Sequence, residues 1–87
     1  MKVYVLSYED LNDDFYSNYV KVYSKKELAQ KQVEIILEDL KRDIYNFEDM
    51  VLDYLENGNG FEMYEFGRYN QNHIFARIEE KEVIDNE

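Results

Sequence analysis

The 87-residue chain has no cysteine, no proline, no tryptophan and only three glycines. The missing cysteine excludes a disulfide framework, a thiolate nucleophile and any Cys-based zinc site. It also fits a reducing compartment. Without proline, and with so little glycine, the chain should be mostly regular structure with few turns. No run approaches the ~20 apolar residues that span a bilayer. The apolar run "VYVL" after Lys2 is too short for the core of a signal peptide. A cytoplasmic protein is therefore expected. Positive charge is scarce as well: ten Lys and Arg stand against twenty Asp and Glu, a net charge of −10. Direct binding to nucleic acid or to an anionic membrane is disfavoured, because both require Lys and Arg. A basic partner is favoured, since opposite fields speed encounter. Solubility alone would also account for the charge.

What is present is apolar and aromatic. Hydrophobic residues make up 45% of the chain, with nine Tyr and five Phe. That suffices for a packed domain and argues against disorder. One domain over residues 1–82 is expected, with a short acidic tail at 83–87.

"MKVYVLSYE" alternates, with Val3 and Val5 on one face and Tyr4, Leu6 and Tyr8 on the other. Apolar on both faces, it reads as an interior strand. "DLNDD" reads as a polar loop, and "NYVKVYS" alternates again, placing Val20 and Val22 opposite Tyr19, Lys21 and Tyr23. The two form a hairpin with a long loop. Ser24 and Glu27 in "SKKE" have the spacing of a capping box. Leu28, Val33, Ile36, Leu37, Leu40 and Ile44 then recur at helical spacing.

Phe47, Val51 and Leu55 continue that spacing. A single helix from Lys25 to Asn57 would be ~50 Å long, against ~27 Å for strands of about eight residues. A break near Asp43–Asn46 is more economical, with Asn46 capping a second helix and Gly58 in "NGNG" closing it. One long helix is the alternative. "FEMYEFGRY" and "HIFARIEEKEV" read as a second hairpin turning at "NQN", with Gly67 marking a bulge. The expected fold is α+β, a four-stranded antiparallel sheet in the order ββ-α-α-ββ with one or two helices on one face.

No constellation for catalysis stands out. Asp10, Asn12 and Asp14 begin a calcium-loop pattern, but Phe15 falls where the sharp-turn glycine belongs and Lys21 where the bidentate glutamate belongs. His73 is the only histidine, and neither a second metal-binding histidine nor a paired nucleophile accompanies it, so it reads as a strand-end or turn residue. There is no glycine-rich phosphate loop. The protein is expected not to be an enzyme, with no cofactor and no metal.

The anomaly is the stretch from Asp43 to Gly67, "DIYNFEDMVLDYLENGNGFEMYEFG", with seven carboxylates in 25 residues and no Lys or Arg. The first helix pairs its charges, Glu27 with Lys31 and Glu38 with Lys41 and Arg42. A second helix would not. Asp53 and Glu56 would oppose its dipole, and Asp49 and Asp53 would repel at a spacing of four, a total of about 1 kcal/mol. Two readings compete. Either the tyrosines are half-buried core and the acids keep the chain soluble, or the acids form a surface read by a basic partner. On the second reading Glu48, Asp49, Asp53, Glu56, Glu62 and Glu65 stand in for phosphates. Tyr54 and Tyr64, with Tyr45 and Tyr69, add contact area at low ordering cost. Glu9, Asp10, Asp13 and Asp14 form a second acidic patch.

A short, acidic, Cys-free chain rich in Tyr and Asn resembles the small phage-encoded inhibitors that mimic DNA, such as anti-CRISPR and anti-restriction proteins and inhibitors of uracil-DNA glycosylase. "MKVYVLSYE" followed by "KVYSKKELAQKQ" is also similar to short phage proteins in which a β-hairpin leads into a helix. The resemblance implies a partner class and no individual residue roles: a basic nucleic-acid-binding protein of the bacterial host cell, such as an RNA-guided CRISPR nuclease, blocked at its basic groove. The alternative expectation is a structural or regulatory module that forms homodimers through its tyrosines or a free sheet edge.

Overall fold

The computed structural model describes residues 1–12, 15–43, 48, 50–65 and 73–84. Five strands and one α-helix appear among them: β1 (Lys2–Asn12), β2 (Phe15–Tyr23), α1 (Lys26–Asp43), β3 (Met50–Tyr54), β4 (Gly60–Glu65) and β5 (Ile74–Glu82). All pairings are antiparallel, in the order β2-β1-β5-β4-β3. The α+β class is as expected, but the sheet has five strands rather than four.

β1 lies between β2 and β5, as its two apolar faces require. Leu6 and Tyr8 point to the helix side, joined by Ile74, Ala76 and Ile78 of β5 and by Phe61 and Met63 of β4, all buried. From above, α1 contributes Ala29, Ile36 and Leu37, with Val33 and Leu40 packed at the margin. Leu28 was expected on that stripe and is instead 47% exposed. Ala29 takes its place because a methyl fits the close approach of helix to sheet. The opposite face of the sheet has no helix over it among the described residues.

The β1–β2 hairpin is tighter than expected. β1 runs on through Asn12, which pairs with Phe15. Asp10 and Asn12 therefore lie in extended backbone rather than in a calcium-type loop, and Asp13 and Asp14 fall outside the described residues. The capping box is not formed. The first helical amides, of Leu28 and Ala29, donate to the Lys25 carbonyl, so Lys25 rather than Ser24 occupies the N-cap position. Of the expected charge pairs on α1, Lys41–Glu38 is present at 3.6 Å, while Arg42 turns to Asp39 at 3.0 Å and Asp43 at 3.3 Å. Glu27 and Lys31 do not pair.

The main correction concerns the second helix. α1 ends at Asp43, where a break was expected, but Met50–Tyr54 forms a strand, not a helix. Met50 and Leu52 pack against the core beside Met63, across from which Leu52 sits in register. Asn57 and Gly58, read as a helix end, instead form a short 3-10 turn at Glu56–Gly58. Both have positive φ, 59° and 69°. Two successive residues of this kind suit an Asn-Gly reversal between strands, whose twist they match. The turn is tied down at both ends: the Leu55 amide donates to the Gly60 carbonyl at 2.9 Å, and the Ile78 amide to the Asn59 carbonyl at 2.7 Å. Gln30 of α1 donates to the Gly58 carbonyl at 3.2 Å. Asn46 and Gly67, assigned to a cap and a bulge, lie outside the described residues.

Candidate partner-binding surface

Because cross-strand neighbours share a face, the pairing register assigns every charge to a side of the sheet. On the side away from α1, one row runs across all five strands. Asn18 of β2 opposes Glu9 of β1, Glu9 opposes Phe75 of β5, Phe75 opposes Glu62 of β4, and Glu62 opposes Asp53 of β3. Three carboxylates thus lie in one line. At ~4.8 Å between strands the line from Glu9 to Asp53 spans about 14 Å.

Aromatic rings flank the row. The Tyr64 hydroxyl donates to Asp53 Oδ2 at 3.4 Å, and His73 Nε2 lies 2.9 Å from Glu62 Oε1. Tyr64 and His73 meet edge-on with centroids 6.2 Å apart, and His73 lies 5.7 Å from Phe75. Loss of solvation, and then the Asp53 charge, push the Tyr64 phenol above its ordinary value. The phenol therefore stays protonated and a donor at neutral pH. A cleft of about 160 Å³ opens beside the row, lined by Leu55, Phe61, Glu62, His73, Phe75 and Arg77. Arg77, the cation nearest in register, is turned to Glu79 at 3.6 Å.

The expected site residues divide. Asp53, Glu62 and Tyr64 come together on the open face, and Glu9, assigned to a separate patch, joins them. Asp10 points to the helix side beside Ser17 and Ile74. Tyr54 is 69% exposed but also lies on the helix side, opposite Phe61, so it does not share a surface with Tyr64. Glu56 sits in the 3-10 turn and Glu48 is exposed. Glu65 is in β4 opposite Met50. Asp49, Asp13 and Asp14, with Tyr45 and Tyr69, lie outside the described residues. The expected helical row of Asp49, Asp53 and Glu56 does not exist, since Asp53 belongs to a strand. His73 and Phe75 are the members that sequence reasoning passed over. Their signal was alternation: in "HIFAR" they share a face opposite to Ile74 and Ala76.

Among the described residues no group of three or more His, Asp and Glu has the geometry to hold a metal ion, and no helix is long and apolar enough to cross a membrane. No known protein family, curated protein or solved structure matches this chain.

Proposed function

We propose that this protein is a non-enzymatic inhibitor that occupies the basic nucleic-acid-binding groove of a bacterial defence nuclease, of the RNA-guided kind, by presenting carboxylates in place of phosphates. The observation that carries the reading is the row Glu9–Phe75–Glu62–Asp53 on a sheet face without a helical cover among the described residues. A DNA strand covers the same ~14 Å in about four base steps. Phe75, His73 and Tyr64 add what charge alone lacks, rings that can meet the aromatic and Arg side chains of a single-strand channel. Glu48 and Glu56, both exposed, add to the acidic field.

The proposal is tested by capture. The protein is immobilised and exposed to lysate of a bacterium that carries a defence nuclease, then eluted by a salt step. A parallel bait carries Glu9→Lys, Asp53→Lys and Glu62→Gln, the last preserving an acceptor for His73. Retention of one basic nucleic-acid-binding protein by the wild type and not by the variant supports the reading. Equal retention by both baits would mean that the acidic row is not the interface.

A further inference from the structure

The opposite edge of the sheet has a different chemistry. β2, "FYSNYVKVY", is nine residues long and contains no carboxylate. Every other strand and the helix contain at least one. The stretch from Phe15 to Lys26 holds three lysines and no acid, in a chain of net charge −10. Among the described residues β2 pairs with β1 alone, so its outer N–H and C=O groups face away from the sheet. Of the usual protections of an edge it has only one lysine, and no proline. Val20 and Val22, on the open face, are 64% and 62% exposed.

We infer that two copies of this chain associate by antiparallel pairing of β2 with β2, which joins their sheets into one ten-stranded sheet about a two-fold axis at Tyr19. Three observations select a second copy as the occupant. Electrostatic repulsion between two strongly acidic molecules is least where neither presents an acid, and among the described strands and helix β2 is the one such element. Tyr19 is the middle residue of the strand, so a dyad there overlaps all nine residues. The same register is self-complementary. It sets Lys21 across from the partner's Ser17, which is itself across from the partner's Asp10 on the same face, and symmetry repeats this on the other side. It also sets Tyr19 against the partner's Tyr19. The Tyr8–Tyr19 stack, with centroids 5.2 Å apart, then becomes a ladder of four rings. The contact is isologous and closed. The carboxylates of each row lie on β1, β4 and β3 and none lies on β2, so the contact covers none of them and the dimer would offer two copies of the surface described above. The inference does not depend on the proposed function, since it concerns the other edge.

Sedimentation velocity from low micromolar to millimolar concentration tests it, on the wild type and on Val20→Lys/Val22→Lys. Both valines are exposed, so this variant should keep its circular dichroism and melting curve. The expected result is a species of twice the 10.6 kDa chain mass for the wild type and the monomer for the variant. The absence of cysteine permits a second test. Tyr19→Cys should be joined to its partner by a short thiol cross-linker, while Val51→Cys, at the far edge, should not. A wild type that stays monomeric throughout would overturn the inference. So would a dimer indifferent to the valine substitutions, or mass that grows without limit as β2 adds to β3 of the next copy.

Discussion

Gly60 is the position where the sheet can be tested most sharply. It starts β4 with φ of +128°, a region closed to residues with a side chain. It pairs with Arg77. A methyl group at Gly60 would sit on the Ala76 carbonyl oxygen, 2.8 Å from its carbonyl carbon and 3.2 Å from the Arg77 Cα. These are backbone atoms of β5, the central strand, and they cannot swing aside as a side chain would. Backbone strain of about 1–3 kcal/mol and overpacking of about 1–3 kcal/mol together give a cost of about 2–6 kcal/mol for Gly60→Ala. A domain of this length is stable by about 4–13 kcal/mol, and each kcal/mol shifts its Tm by about 4–8 °C. Gly60→Ala should therefore lower the Tm by at least about 8 °C, or unfold the chain. Gly58 is the control. Its φ is also positive, +69°, but an added methyl there meets only the end of the Gln30 side chain, which can rotate away. Gly58→Ala should cost about 1–2 kcal/mol. Thermal and urea denaturation followed by circular dichroism measure both. If Gly60→Ala were as stable as the wild type, β4 would not lie against β5 in this register. The acidic row would then be lost with it, because Glu62 meets Phe75 in the same register.

Further outcomes follow from the same geometry. Asp53 faces Glu62 across two strands, and like charges directly opposite destabilise a sheet; Asp53→Lys should raise stability by about 0.5 kcal/mol in urea melts while abolishing partner capture. Leu6→Ala, at a fully buried site, should cost about 2–5 kcal/mol, and Leu28→Ala, on the exposed side of α1, less than about 0.5 kcal/mol. Burial, helped by Asp10 and Tyr19, pushes the Tyr8 phenol up to about 12. The folded state therefore holds this proton more tightly than the unfolded chain, whose phenol ionises near 10. Stability is intact below pH 10 and is lost as pH rises through about 12. Tyr8→Phe should flatten that decline in a pH series of denaturation curves.

The elements that rest on local pattern were legible. Alternation located β1, β2, β4 and β5 and assigned Leu6, Tyr8, Val20 and Val22 to their faces. Spacing of three and four located α1. Met50–Tyr54 was misread because two periods coexist in it. Phe47, Val51 and Leu55 recur every four residues, while Met50, Leu52 and Tyr54 alternate. Burial decided between them: as a strand the segment sets Leu52 beside Met63 and continues the sheet past β4. The Asn-Gly at 57–58 carried the deciding hint, since Asn-Gly between alternating apolar residues marks a hairpin more strongly than a helix end. The acidic row could not be read at all. Glu9 and Glu62 are neighbours in a line only because β1 and β4 both flank β5, which is a matter of strand order and register rather than of any single segment. Of the acids between Asp43 and Gly67, Asp53 and Glu62 face each other across β3 and β4, so their cost is a cross-strand repulsion and not a misaligned helix dipole.

On the proposed function the acidic row competes with DNA for one basic groove. Equilibrium competition measures this: a purified RNA-guided nuclease recovered by capture, a fluorescent target DNA, and this protein as titrant, at low and at raised salt. Displacement of the DNA is expected at low salt, weaker at high salt as screening shortens the reach of the charges. The Glu9→Lys, Asp53→Lys, Glu62→Gln variant should not displace it. Simultaneous binding of protein and DNA to the nuclease, or displacement by the variant as strong as by the wild type, would contradict it.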